Sequence, residues 1–222
     1  MCGRYTLASP ETWIREEFDV PELPLDFRPR HNVAPTQMVL AVVRGAEGQR
    51  RAGWLRWGLI PSWAKDPAIG NRMINARADT VHEKPAYRTA FERRRCLIVA
   101  DGFFEWQQTG DGKVPIWIHR ADRRPFAFAG LWERWTPPEG GDPVHSCAIV
   151  TTEANDFARP VHERMPVILP REGADLWLDP AADRASLRAL LRPYPHDDLS
   201  MHQVSALVNS PKNDLPDCIA PV

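Results

Sequence analysis

The sequence predicts an α+β protein in a single domain spanning residues 1–222, on three observations. Short apolar runs rich in β-branched and aromatic residues crowd the middle of the chain. Helical patterns lie around them without strict β-α alternation, which disfavours a doubly wound sheet. No linker, repeat or low-complexity stretch divides the chain.

Taken in order, the first element is a helix with Ser9 as its cap, Pro10 in the first turn and Glu11 near the positive end of its dipole. Trp13, Ile14 and Phe18 give it an apolar side. The Pro-rich stretch VPELPLDFRPRHNVAPT then reads as an extended connector. Strands follow at MVLAVV, GWLRWGLI, RCLIVA, PIWIH, FAFAGLW, SCAIVT and MPVIL. A long loop spans Pro61 to Asn75, and a short helix is expected near Tyr87 and Phe91, an i, i+4 pair. A late helix runs through Leu187, Leu190 and Leu191.

Bulk composition narrows the function classes. A net charge of −1 predicts no overall attraction to nucleic acid or to membranes, so any such binding needs a local patch. The four cysteines (Cys2, Cys96, Cys147 and Cys218) form no C-x-x-C pair, which argues against a structural zinc site or a dense disulfide framework. A charged, helix-like stretch follows the chain start and no apolar run reaches membrane length. The expectation is a cytoplasmic protein of a reducing compartment, with no membrane association and a monomer by default. Nine Trp and 22 Pro suit short strands and shaped loops.

No phosphate loop, dinucleotide fingerprint, H-E-x-x-H or zinc-deaminase pattern occurs, so neither a metal nor a cofactor is expected. Three stretches carry possible chemistry. In RMINARADT, Asn75 and Arg77 face one side if extended, although Asn75 reads equally as a turn residue. In ADGFFEW, Glu105 among aromatic residues either turns to solvent or sits in an apolar pocket with a raised pKa. In RPVHERMPVIL, His162 precedes a buried-looking strand and has a plain structural reading. From Asn71 to Arg95, seven Lys/Arg stand against three acids, a local balance of +4. Such a run is a solvated face or, with Trp54, Trp57, Trp63 and Trp106 near in sequence, a groove for single-stranded nucleic acid.

Along the chain MCGRY, NVAP, RWGLIPSW, INARADT, ADGFFEW, VHERMP and VSALVNSPKND occur in the order found in the SOS response-associated peptidase (SRAP) family, which the sequence resembles from Cys2 to its last ten residues. The resemblance implies a pleated, barrel-like, mostly antiparallel β core flanked by short helices. It also implies a positively charged cleft for single-stranded DNA. Members of that family sense abasic sites and join an N-terminal cysteine to the ring-opened sugar aldehyde.

Carried over position by position, Cys2 matches the nucleophile, and Asn75, Glu105 and His162 match the residues around the linkage. Arg4 and Arg77 match phosphate-contacting positions, assisted by Asn32 and Thr151, while Pro35, Trp63 and Trp106 match positions that wedge against bases. Two places depart from the pattern. Trp63 is followed by Ala64 where some members have a second tryptophan, and Pro85 stands where a basic residue can occur, beside Lys84 and Arg88.

The position of Cys2 has a chemical logic. Removal of Met1, by self-processing or by an aminopeptidase, leaves a thiol and an α-amine two carbons apart, which together can close a thiazolidine on one aldehyde carbon. Three other readings stay open: a thiol peptidase or N-terminal nucleophile hydrolase, a non-enzymatic single-strand binder, and a scaffold.

Overall fold

The computed structural model describes residues 2–45 and 47–222. In chain order these residues form β1 (Tyr5–Leu7), α1 (Glu11–Phe18), β2 (Arg30–Val33), β3 (Met38–Arg44), β4 (Arg50–Trp57), β5 (Asn75–Arg77), α2 (Arg88–Arg93), β6 (Arg95–Ala100) and β7 (Gly102–Thr109). The chain continues through β8 (Gly112–Arg120), β9 (Phe126–Trp135), β10 (Val144–Glu153), β11 (Arg164–Pro166), β12 (Ile168–Leu169), α3 (Arg171–Leu178), α4 (Arg184–Ala189) and β13 (Leu199–Gln203). Single 3-10 segments cover Pro67–Arg72, Ala206–Asn209 and Pro216–Cys218.

Five strands close into a barrel in the order β3, β4, β10, β9, β6 and back to β3. Every seam is antiparallel except β10 on β4, which is parallel through Ser146↔Arg56 and Cys147↔Trp57. Closure removes the exposed edges that an open sheet would leave. β6 is buried along its whole length because one face lines the barrel and the other is covered, which is why RCLIVA is apolar throughout. The α+β class and the barrel-like, mostly antiparallel core both hold.

β10 outlasts the barrel. Its first half pairs with β9 and β4, and its second half pairs with β5 (Ile149↔Asn75, Thr151↔Arg77) and β11 (Thr151↔Pro166, Glu153↔Arg164). A second sheet, β13-β8-β7-β1-β2, leans on the barrel. Tyr5 packs on Trp57 and Phe128 with ring centroids at 5.3 and 5.8 Å, and Phe103 meets Phe128 at 6.1 Å.

Two glycine positions are steric necessities. The indole of Trp117 lies across Gly102, where a Cβ would come within 2.2 Å of Nε1. That close approach lets Trp117 Nε1–H donate to Thr6 Oγ1 at 3.2 Å. Gly58 has φ +128°, and a Cβ there would sit 2.5 Å from the Gly70 carbonyl oxygen, so the loop after β4 folds tightly back on the strand end.

Several local expectations change. Pro10, not Ser9, occupies the N-cap of α1; the Ser9 hydroxyl and N–H both donate to the buried Asp101 carboxylate, which out-competes the helix end. α2 starts at Arg88 with Tyr87 at its cap. The late helix stops at Ala189, since Pro193 disfavours helical backbone before it, yet Leu187 and Leu191 remain buried. MPVIL divides into two strands because Val167 N–H turns to the Val150 carbonyl. The expected loop from Pro61 to Asn75 contains a 3-10 segment and the first residue of β5.

Candidate active site

The chain start is threaded into the fold. β1 pairs with β7 through Tyr5↔Phe103, and Phe104 N–H donates to the Arg4 carbonyl, so the same antiparallel ladder carries Cys2 back toward Glu105. Cys2 is fully buried. On its other side Asn75 Nδ2 donates to the Cys2 carbonyl at 2.9 Å. Asn75 opens β5, pinned beside Ile149 of β10, and its own carbonyl accepts from the Tyr87 hydroxyl at 3.1 Å. Burial pushes Tyr87 up to about 12, so that hydroxyl stays a donor. Asn75 Oδ1 is buried with no hydrogen-bond partner among the described residues.

Two ionisable groups meet here under stress. Glu105, 4% exposed on β7, is raised above the ordinary carboxylate range by burial, with His162 pulling the other way. Cys2 is raised well above the usual thiol range, first by burial and then by the negative charge of Glu105. His162 Nδ1 accepts the Arg164 N–H at 3.0 Å, which leaves Nε2 to carry the proton of the neutral ring. The ring is presented by the turn after β10, where His162 N–H donates to the Ala158 carbonyl and Asn155 Oδ1 accepts from Ala158 N–H. The structure therefore gathers Cys2, Asn75, Glu105 and His162 from four separate stretches of chain. The expected removal of Met1 lies outside the described residues.

The residues expected to meet DNA fall into three places. Arg4 is half-buried, its charged form held below the usual pKa by burial, and its guanidinium lies 5.9 Å from the Trp106 ring centroid. Arg4 Nη1 donates to Asn32 Oδ1 at 2.8 Å and to the Val208 carbonyl at 2.6 Å. Trp106 Nε1–H donates to Asn209 Oδ1 at 2.7 Å. Neighbouring residues of the closing segment thus steady both side chains.

Asn32 is wholly buried, with its Nδ2 donating to the carbonyls of Val208, Ser210 and Asn213. Its amide is fully engaged by protein, so it acts on Arg4 rather than reaching outward. Asp214 locks the same clasp, pairing with Arg30 and accepting the Asn32 N–H at 2.9 Å.

Arg77 is exposed on β5 and gripped by Asp79, Nη2 to Oδ2 at 2.7 Å. Thr151 is buried beneath Arg164, whose Nη2 donates to its hydroxyl. Pro35 is half-buried in the turn between β2 and β3. Trp63 stands 60% exposed on the loop after β4. Ala64 beside it is buried against Ile60 and Trp135 and accepts the Trp135 Nε1–H at 2.7 Å, so no second indole fits there.

Sequence reasoning passed over several residues that build this site: Tyr87, Arg164, Val208, Asn209 and Asp214. Arg164 carried a signal, since it alternates with His162 on the way into β11. VSALVNSPKND was visible as a motif, but nothing in it announced a hydrogen bond to Arg4 some 204 residues away. Among the described residues no group of three or more His, Cys, Asp and Glu is placed to hold a metal, and no helix is long and apolar enough to cross a membrane.

Fold and site together define a class: a closed-barrel α+β protein whose second residue is a buried thiol set against a carboxylate and an imidazole. The family profile described as SOS response associated peptidase (SRAP) matches residues 1–211, and the chain belongs to that family. It is 47% identical over 223 residues to the abasic site processing protein YoqW of Bacillus subtilis (strain 168), covering 99% of both chains. It is 34% identical to the abasic site processing protein HMCES of Gallus gallus, covering 95% of this chain and 69% of that one. Among solved structures, a protein from Bacteroides thetaiotaomicron superposes with a TM-score of 0.85 over 100% of both chains at 24% identity, a likeness of fold. One from Bordetella bronchiseptica reaches 0.79 at 28% identity, covering 92% of this chain and 100% of that one.

Proposed function

We propose that this protein processes abasic sites by binding single-stranded DNA and closing a thiazolidine between Cys2 and the open-chain sugar aldehyde. The relatives' names, abasic site processing proteins, support the substrate. The observation that carries the chemistry is the Cys2 thiol buried beside Glu105, with Asn75 holding the Cys2 carbonyl.

The reaction needs Met1 removed. The freed α-amine then adds to the aldehyde carbon, and loss of water gives an imine. The thiol attacks the same carbon, a C–S bond forms, and the S–H proton ends on the ring nitrogen; the net change is condensation with release of one water.

Protonation suits that order. An α-amine with a pKa of about 7.7–8.0 is partly neutral near neutrality. The Cys2 thiol, kept protonated by burial and by Glu105, waits until the imine forms. Glu105 accepts the thiol proton, passes it to nitrogen, and stabilises the positive charge of the iminium in between. His162, with its Nε2 proton, assists opening of the sugar ring. Asn75 aligns the Cys2 end of the chain, and its unpartnered Oδ1 is free to accept from a sugar hydroxyl or the amine. Co-location of amine, thiol and aldehyde supplies rate as effective molarity.

A thiol protease needs the opposite electrostatics, a thiolate stabilised by an adjacent cation. Burial and Glu105 here oppose that state, which weighs against turnover of peptides.

Denaturing gels of wild type and Cys2→Ala with an abasic oligonucleotide test the reading. Wild type should give a heat-stable shifted band and Cys2→Ala none. A heat-stable band that survives in Cys2→Ala without borohydride would mean another nucleophile and overturn the proposal; a band seen only after borohydride is the imine of the α-amine at position 2, made without the thiol's ring closure. Intact-mass analysis that finds Met1 retained in the crosslinked species would do the same.

A further inference from the structure

The second half of β10 leads from the pocket to a groove that the chemistry above does not use. It is lined by Arg77 of β5, Thr151 and Glu153 of β10, Arg164 of β11, and Arg188 of α4, with Asp79 at one side. Three guanidinium groups share this trough with two carboxylates, and Asp79 is already engaged by Arg77.

Arg77 and Arg164 line the same trough, and the charged form of Arg164 is disfavoured first by burial and then by the charge of Arg77, a repulsion that an anion in the trough would relieve. Arg188 differs from its helix neighbour. Arg184 is tied down by its Nη2 to the His82 carbonyl at 2.6 Å. Arg188 is exposed on the last turn of α4 and has no ion pair with any described residue. A solvated guanidinium at the end of a trough can take a phosphodiester oxygen with little desolvation.

We propose that the bound strand continues past Arg77 along this groove and that Arg188 holds a backbone phosphate on one flank of the lesion. The inference rests on the DNA reading above and adds a direction to it: only one side of the lesion gains from α4.

Binding of single-stranded oligonucleotides with a stable tetrahydrofuran abasic analogue tests it, one set extended only 5′ of the lesion and one only 3′. Affinities are read by fluorescence anisotropy across a salt series. Arg188→Ala should lose about three-fold in affinity on one set, with the salt slope shallower by about 0.7, and match wild type on the other. Arg192→Ala removes the same charge from an exposed arginine that does not line the groove, and should match wild type on both. An Arg188→Ala protein unchanged on both sets, or weakened equally on both, overturns the inference, as does an equal loss in Arg192→Ala. In those cases the DNA reading survives if wild type binds with the expected salt dependence; a wild type that binds neither set sinks both.

Discussion

At the corner where α2 meets β6, Arg95 is buried with its guanidinium surrounded by carbonyls: Nε on Trp177, Nη1 on Phe91 and Glu92, Nη2 on Asp179, at 2.6–2.8 Å. It closes the C-terminal ends of α2 and α3 at once, where helix dipoles favour a cation. Arg94 beside it pairs with Glu133 at 2.6 Å. At the chain start the buried groups are just as enclosed but poorly matched. Burial disfavours the charged forms of a carboxylate and a thiol, the carboxylate's charge disfavours the thiolate further, and an amide oxygen has no described partner. The Arg95 charge that serves the fold is ringed by acceptors, whereas the charge poised for chemistry is set against a thiol whose ionisation it opposes.

That contrast is open to measurement, and the sharpest break in it comes from Glu105→Gln. This change should slow crosslink formation about 100-fold in single-turnover assays, the usual scale for losing a proton-transfer group. Protonation of the α-amine lowers the rate on the acid side in both proteins; in wild type Glu105 should add a further fall from above the ordinary carboxylate range, and in the variant that added fall should vanish. Stability should move the other way. Burial raises Glu105, so its protonated form favours the fold; that stabilisation is complete below the ordinary carboxylate pKa and is lost as pH rises through the raised value. The Tm of Glu105→Gln should therefore exceed wild type at about pH 8 and the gap should shrink toward about pH 4. An equal gap at both would show no conflict at Glu105.

Arg95→Met probes the satisfied corner. Stripping donors from four carbonyls, two in fully buried hydrogen bonds, should cost about 2 kcal/mol in urea unfolding, while crosslinking per folded molecule stays at the wild-type rate. A crosslinking defect without a stability loss would reverse the roles assigned to the two regions. Arg94→Ala should cost a comparable amount, about 2 kcal/mol, since it leaves the buried Glu133 carboxylate with the Arg134 N–H but without its cation.

The same two regions show what the sequence could and could not reveal. The basic run from Asn71 to Arg95 was legible as charge, but composition does not say which guanidinium groups are engaged by carbonyls. Arg94 and Arg95 proved to be architecture, and Arg77 faces solvent. Long strands such as β3, β6, β9 and β10 were legible because covered faces demand continuous apolar residues. β1 and β5 were not, since three residues carry no periodicity and their pairing comes from distant partners. α3 went unread although Pro170 opens it as Pro10 opens α1; Gly173 weakens its pattern, and it is held by burying Trp177. Cys2 drew notice by its position, but position alone left an inert packing cysteine as the commoner reading. Asn75, Glu105 and His162 each had an ordinary reading until a family pattern joined them, because their meeting depends on register between β1, β7 and β10.

One feature of that register reaches beyond the pocket. β10 serves as barrel wall along one half and as backing for Asn75, Arg77 and Arg164 along the other. The reactive corner therefore cannot outlive the barrel, since whatever opens the wall at β10 takes away the backing of Asn75, Arg77 and Arg164 with it. Heat or denaturant should silence such a protein no later than its barrel melts.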